Sequence, residues 1–186
     1  MKLPWSRVSL PPALAGRLEA DELITAMAES DDGHRLLTTR RGLWIVRLEA
    51  AERLGWERVA KAKLELGVLT VVPLDDVSLP EEVGEVPEPS VVRDGRPWEY
   101  RLGRPAKVTD QVHTRVRRSV AASRYLPWPG GGGWVALRRV PGRDGLLVQL
   151  RLDPAADPLA PGFLPAVHRV AAELRASPAM GVTGAD

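Results

Sequence analysis

The densest run of recognition chemistry in this 186-residue sequence is Arg115, Arg117, Arg118 and Arg124 with Tyr125 beside it, followed by the pair Arg138-Arg139. A planar guanidinium grips carboxylate or phosphate with two parallel hydrogen bonds, and a neighbouring ring adds a stacking face. The run therefore suits phosphate, on nucleic acid or an anionic surface; its bland counterpart is the solvated face of a helix. Trp98 and Trp128, like Trp5, each stand beside a proline in irregular sequence. A tryptophan so placed either docks back on its own domain or anchors a partner. The candidate partner-binding residues are Arg115, Arg117, Arg118, Arg124, Trp98 and Trp128. Trp44, Trp56 and Trp134 fall in or beside strand-like runs and read as core.

Reaction chemistry is not legible. His34, His113 and His168 are far apart in sequence, and none forms the i, i+4 pair that places two imidazoles on one helix face for a metal. No serine sits in a G-x-S-x-G elbow, and a Ser-His-Asp set has no spacing to support it. The carboxylate pairs Asp75-Asp76 and Glu81-Glu82 belong to an acidic charge run, which solvation explains better than general acid–base work. The glycines of "PGGGGW" could cradle an anion through their amides, yet they lack the Gly-Lys-Ser/Thr ending and lead into a strand rather than a helix. The sequence thus predicts a protein without catalytic residues, metal or cofactor.

Composition agrees with a binding protein of modest field. Twenty-six Lys and Arg against 24 Asp and Glu leave a formal charge of +2, too little for a whole-surface attraction to nucleic acid. No cysteine is present, which removes disulfides and thiolate chemistry and fits a reducing compartment. Pro4, Arg7, Pro11 and Pro12 break the first residues away from a signal-peptide pattern. No apolar run approaches the roughly 18 residues of a membrane span. A soluble, cytoplasmic protein is the expectation.

The elements that must position the arginines follow from punctuation. Residues 1–20 are proline-containing and irregular, and five strand-like runs follow: "LITAMAE", "HRLLTT", "GLWIVRL", "VAKAKLEL" and "GVLTVV". Asp32-Gly33 and Arg41-Gly42 read as hairpin turns, with Gly42 free to take a positive φ. In the fourth run Ala60, Ala62, Leu64 and Leu66 alternate with Lys61, Lys63 and Glu65, one face buried and one wet. Residues 74–97 hold seven carboxylates and four prolines and read as a long acidic loop or arm, with at most an edge strand at 90–93. Val108, Val112, Val116 and Val120 recur every fourth residue and predict an amphipathic helix over 106–124. After a Gly/Pro linker at 125–133, a hairpin with Leu146, Val148, Leu150 and Leu152 on its buried face leads to a helix over 164–176. Together these form a ββα unit at 134–176, followed by a tail at 177–186.

Strand runs ending in one amphipathic helix, with "LLTTRRGLWIV" and then "LGWERVAKAKLELGVLTVV", resemble bacterial pleckstrin-homology-like domains over residues 21–124. The whole chain is also similar to a family of uncharacterised actinobacterial proteins of this length. The resemblance implies an α+β fold: a bent antiparallel sheet or partial barrel capped by the helix, with the ββα unit appended. It implies no catalytic residue. The functional expectation is a non-catalytic binding or scaffolding module for a protein partner, a second copy of the chain included. The alternative is a weak binder of nucleic acid or anionic lipid through the arginine-rich helix.

Overall fold

A computed structural model describes residues 11–80, 89–103 and 106–177. The described residues are α+β, mostly strand with two α-helices. Strands β1 (Ala26–Glu29), β2 (Arg35–Thr38), β3 (Gly42–Arg47) and β4 (Ala50–Gly55) form an antiparallel meander in that order. A 3₁₀ turn at Trp56–Arg58 leads to β5 (Val59–Glu65), β6 (Val68–Asp76), β7 (Ser90–Asp94) and β8 (Trp98–Arg101). Helix α1 (Ala106–Ser119) runs directly into β9 (Val120–Leu126), followed by β10 (Gly133–Arg139), β11 (Leu146–Leu152) and helix α2 (Phe163–Ala176). The second sheet has the order β5-β6-β7-β11-β10-β9, with β8 also on β6.

β6 is nine residues long and serves two neighbours on one edge: Val68 to Val71 pair with β8, and Leu74 to Asp76 pair with β7. A single bridge between Ser30 and Leu102 ties the end of β1 to the end of β8. The sheet therefore curls into a half-barrel. Inside it lie Leu36, Leu43, Leu54, Trp56, Leu69, Val71 and Tyr100, and α1 closes the core with Val108 and Val112, Val116 packing at its rim. α2 covers the other end of the second sheet, where Phe163, Val167, Val170 and Leu174 pack on Val135, Leu137, Val148 and Leu150. β10 and β11 share this sheet with β9, β7 and β6.

Several expectations are corrected. The helix ends at Ser119 rather than 124, because the edge of β10 is open beside it: Val120 pairs with Arg138, and residues 120–126 become β9. Backbone pairing with a waiting strand overrides a four-residue period. Residues 125–133 accordingly hold the end of β9, the loop of a hairpin and the first residue of β10, β9 pairing with β10 from Val120 to Leu126 with one bulge at Ala121. The 74–97 segment is not all loop: residues 74–76 finish β6, and β7 lies at the centre of the second sheet, antiparallel to β6 and parallel to β11, rather than at an edge. Residues 81–88 of the acidic arm lie outside the described residues.

A strand the sequence reading missed, β4, carries "AAERLG", whose helix-forming residues are held extended by pairing with β3. Leu66 leaves the buried face expected of it. It is 97% exposed, with φ 48°, and forms with Gly67 (φ 79°) the two-residue turn of the β5–β6 hairpin. Gly42 is needed for proximity, not for a positive φ: a Cβ there would strike the carbonyl oxygen of Leu54 on β4. Residues 11–22 are irregular yet docked, with Leu14 fully buried on the outer face of the first sheet against Leu37, Trp44 and Val46.

One carboxylate fastens this docked segment. Glu22 accepts hydrogen bonds from Thr39 Oγ1 at 2.6 Å, Trp44 Nε1 at 2.9 Å and Arg53 Nη1 at 3.2 Å, its side chain fully buried. Thr39 in turn takes the amide of Gly42 on its hydroxyl and the indole N–H of Trp56 on its carbonyl, at 3.2 and 3.1 Å. Burial pushes the Glu22 pKa up, but the bonds from Thr39, Trp44 and the Glu19 amide, with the charge of Arg53, outweigh it and hold the pKa below its ordinary 4.5.

A carboxylate whose folded pKa is depressed contributes stability above its unfolded pKa and loses it as pH falls through the folded value. Glu22→Gln should therefore lower the melting temperature at pH 7 by the equivalent of about 2–4 kcal/mol and flatten its decline below about pH 4.5, measured by thermal denaturation across pH 3–7. Val112→Asp places an unpaired charge against the half-barrel core and should cost about 4 kcal/mol or more, read as loss of the cooperative transition.

Candidate functional site

Arg117 and Arg118 occupy the last turn of α1 and are exposed, and Arg115 is half-buried one turn earlier. Among the described residues none of the three is paired with a carboxylate. The helix presents its valines to the half-barrel, so spacing alone forces these arginines outward or to the flank. Arg117 borders an open groove of about 290 Å³ between α1 and β5, where Ala62 and Val116 supply apolar walls and His113 a second polar group. Cations at a helix C-terminus also favour the negative end of its dipole, which is the purely structural reason for their position.

The rest of the predicted arginine cluster is dispersed. Arg124 lies on β9, exposed, and is paired with Glu173 of α2. Arg139 donates from Nη1 to the carbonyls of Arg118 and Val120, at 3.0 and 3.3 Å, closing the C-terminal end of α1. Arg138 is buried, 5% exposed: Nε donates to Gln149 Oε1 at 3.1 Å and Nη1 to Ser119 Oγ at 2.9 Å, while Gln149 Nε2 reaches the carbonyl of Glu57 at 3.1 Å. Burial, helped by the charge of Arg151 and opposed by that of Glu57, pulls the Arg138 pKa down to about 10, so it stays charged at neutral pH. This seam joins α1, the 3₁₀ turn, β10 and β11 between the two cores.

The tryptophans are redistributed too. Trp98 is half-buried on β8 against the half-barrel core. Trp128, in the β9–β10 loop, packs on the Phe163 ring at 5.3 Å between centroids and sits over Gly162. Trp5 lies outside the described residues. Trp44 and Trp56 are buried as expected, but Trp134 is 38% exposed and not core.

Trp134 opens a second candidate that the sequence reading overlooked. In register it lies between Tyr125 of β9 and Arg151 of β11, and Arg151 lies beside Val92 of β7, so one row across the sheet reads Tyr, Trp, Arg, Val. The Tyr125 and Trp134 rings are 5.6 Å apart. With Arg93, Asp94, Asp153 and Pro154, Trp134 and Arg151 line a cleft of about 340 Å³. Arg151 is clamped by Asp94, Nε to Oδ1 at 2.5 Å and Nη2 to Oδ2 at 2.6 Å. Asp153 Oδ2 accepts from Tyr125 Oη at 2.7 Å and the Gly132 amide at 3.1 Å, and that bond raises the Tyr125 pKa. The signal was present in strand parity: Val135 and Leu137 alternate toward α2, which turns Trp134 to the opposite face.

A serine, a carboxylate and a histidine do meet at the β1–β2 turn. Ser30 Oγ lies 2.5 Å from Asp32 Oδ1 and 3.1 Å from the His34 carbonyl, and Asp32 Oδ2 lies 2.9 Å from His34 Nδ1. The carboxylate stands between the other two, so the hydroxyl proton is not offered to the imidazole as a nucleophile's would be. The Ser30 hydroxyl first, and His34 second, hold Asp32 down at about 2, too weak a base for proton abstraction near neutrality. This is a turn lock around Gly33, whose φ is 83°. Among the described residues no three metal-ligating side chains converge, and no helix is long and apolar enough to cross a membrane. Comparison with protein-family profiles, with curated proteins and with solved structures gave no match.

The packing of Trp128 and the exposure of Arg124 separate structural from surface roles. Trp128→Ala should destabilise by about 2 kcal/mol through the lost contact with Phe163, whereas Arg124→Ala should change stability by less than about 1 kcal/mol, the pair with Glu173 being exposed. Chemical denaturation of both variants checks this.

Proposed function

We propose that the chain is a non-catalytic binding module that engages an acidic segment of a protein partner through the C-terminal end of α1. The observation that carries this reading is that Arg117 and Arg118 are exposed and, among the described residues, unpaired with a carboxylate, and that Arg117 borders a groove with apolar walls. Two adjacent guanidinium groups supply bidentate grips for carboxylates, and Ala62 and Val116 offer the partner an apolar contact. The half-barrel closed by α1 is compatible with a pleckstrin-homology-like sheet. The acidic residues near β6 and β7 are a second surface in this proposal, and a second copy of the chain, acidic arm to basic helix, is one form the partner takes.

A specific observation also favours a surface of phosphates. Lys107, Arg117 and Arg118 are all exposed on α1, with exposed Arg139 beside its end. Such a patch draws on counterion release, so its affinity falls steeply with salt.

Arg117→Glu with Arg118→Glu separates these readings. The double variant should melt within about 1 kcal/mol of the wild type, because both side chains are exposed, and should lose capture of an acidic peptide by about tenfold or more. A change in sedimentation would identify the second copy as the partner. Loss of binding to duplex DNA or anionic vesicles, with no loss toward acidic peptides, would replace the protein partner with phosphate. Unchanged binding to all three would overturn the proposal.

A further inference from the structure

We propose that the Trp134 cleft is a binding site for a neutral, hydroxyl-rich ligand, a linear oligosaccharide of neutral hexoses, independent of the α1 surface. The first argument is charge. Arg93 and Arg151 are balanced by Asp94 and Asp153 within the same lining, so an anion meets two carboxylates and a cation two guanidinium groups, while a neutral ligand meets no net field. The second is hydrogen-bonding capacity. Asp94 uses one lone pair on each oxygen for Arg151, leaving one on each, and Arg151 keeps both N–H groups of Nη1. Among the described residues Asp153 is held through Oδ2, and Oδ1 makes no hydrogen bond. Fixed acceptors beside fixed donors match vicinal hydroxyls, each of which donates and accepts.

The third argument is the ring. Trp134 is 38% exposed, is braced by Tyr125 at 5.6 Å and stands on a strand rather than a loop. A braced planar indole presents an apolar face to the C–H groups of a pyranose, while the carboxylates and guanidinium take its rim of hydroxyls. The cleft, at about 340 Å³, lies at the small end of ligand sites and takes one or two rings of a longer chain. The clamps from Asp94 to Arg151 and from Tyr125 to Asp153 set these groups before any ligand arrives, which lowers the ordering cost of binding.

The test follows the Trp134 indole N–H resonance of the full-length chain as cellohexaose, maltohexaose and laminarihexaose are each added to about 10 mM. One of them should shift that resonance saturably. Trp134→Ala should abolish binding in calorimetry with the same sugar, and Asp94→Asn, which leaves the indole in place, should weaken it about tenfold. The Arg117→Glu, Arg118→Glu variant should bind the sugar as the wild type does, which keeps this result separate from the fate of the α1 surface. A shift with none of the three sugars overturns the proposal. So does a shift with adenosine or a proline-rich peptide in their place, because stacking or polyproline docking would then be the chemistry of the cleft.

Discussion

A buried carboxylate organises the N-terminal half. Glu22 stands outside any regular element, yet it collects Thr39 from the β2–β3 turn, Trp44 from β3 and Arg53 from β4, so three successive pieces of the meander are tied to one point. Thr39 passes the constraint on by accepting the indole N–H of Trp56, which is buried in the half-barrel core beneath α1. The position of the helix therefore depends, through two hydrogen bonds and one ring, on a charge that is stable in the interior only while every donor is present. A buried polar group left unmatched costs more than a matched one contributes, and that asymmetry makes such a node specify one arrangement.

The second half is joined to the first by backbone and by a polar seam. β6 extends past the half-barrel to pair with β7, and β7 accepts β11 in parallel, so a single sheet runs from one core to the other. Above that continuity, Arg138 reaches Ser119 at the end of α1 while Gln149 reaches the Glu57 carbonyl. An arginine held by neutral partners is an expensive way to link elements; its value lies in geometry, since its fork fixes the helix end and the two strands at once. The contact sits where α1 ends at Ser119 and β9 begins, and Arg117 and Arg118 on the last turn face solvent.

The two candidate surfaces differ in physical character. The α1 rim is mobile in chemistry: long side chains, unpaired charge and a shallow groove, suited to steering and to a partner that brings its own carboxylates. The Trp134 cleft is the reverse, with charges already paired and a ring braced by its neighbour. One surface is proposed for a charged macromolecule and the other for a neutral ligand, and the two share no lining residue.

Local pattern was enough for much of this. The valine period placed Val108 and Val112 against the core, the alternation of β11 and the i, i+3, i+4, i+7 spacing of Val167, Val170, Ala171 and Leu174 gave the C-terminal unit, and Asp32-Gly33 gave a turn. Those features depend on side-chain periodicity and on glycine's freedom, both written residue by residue. What pattern alone left open was decided by partners distant in sequence. β4 is extended because β3 lies beside it, Val120 begins a strand because β10 has a free edge, and β7 is central because β6 and β11 both reach it. Arg138 and Arg139 are adjacent and alike in the sequence, yet strand parity sends one to a buried seam and the other to solvent. Trp134 shares the parity of Arg138 and is exposed because it lies at the other end of β10 from that seam. Alternation along a strand, legible residue by residue, sets which face each side chain takes relative to its neighbours; only the packing of α1 and α2 onto the curled sheet decided which of those faces is inside.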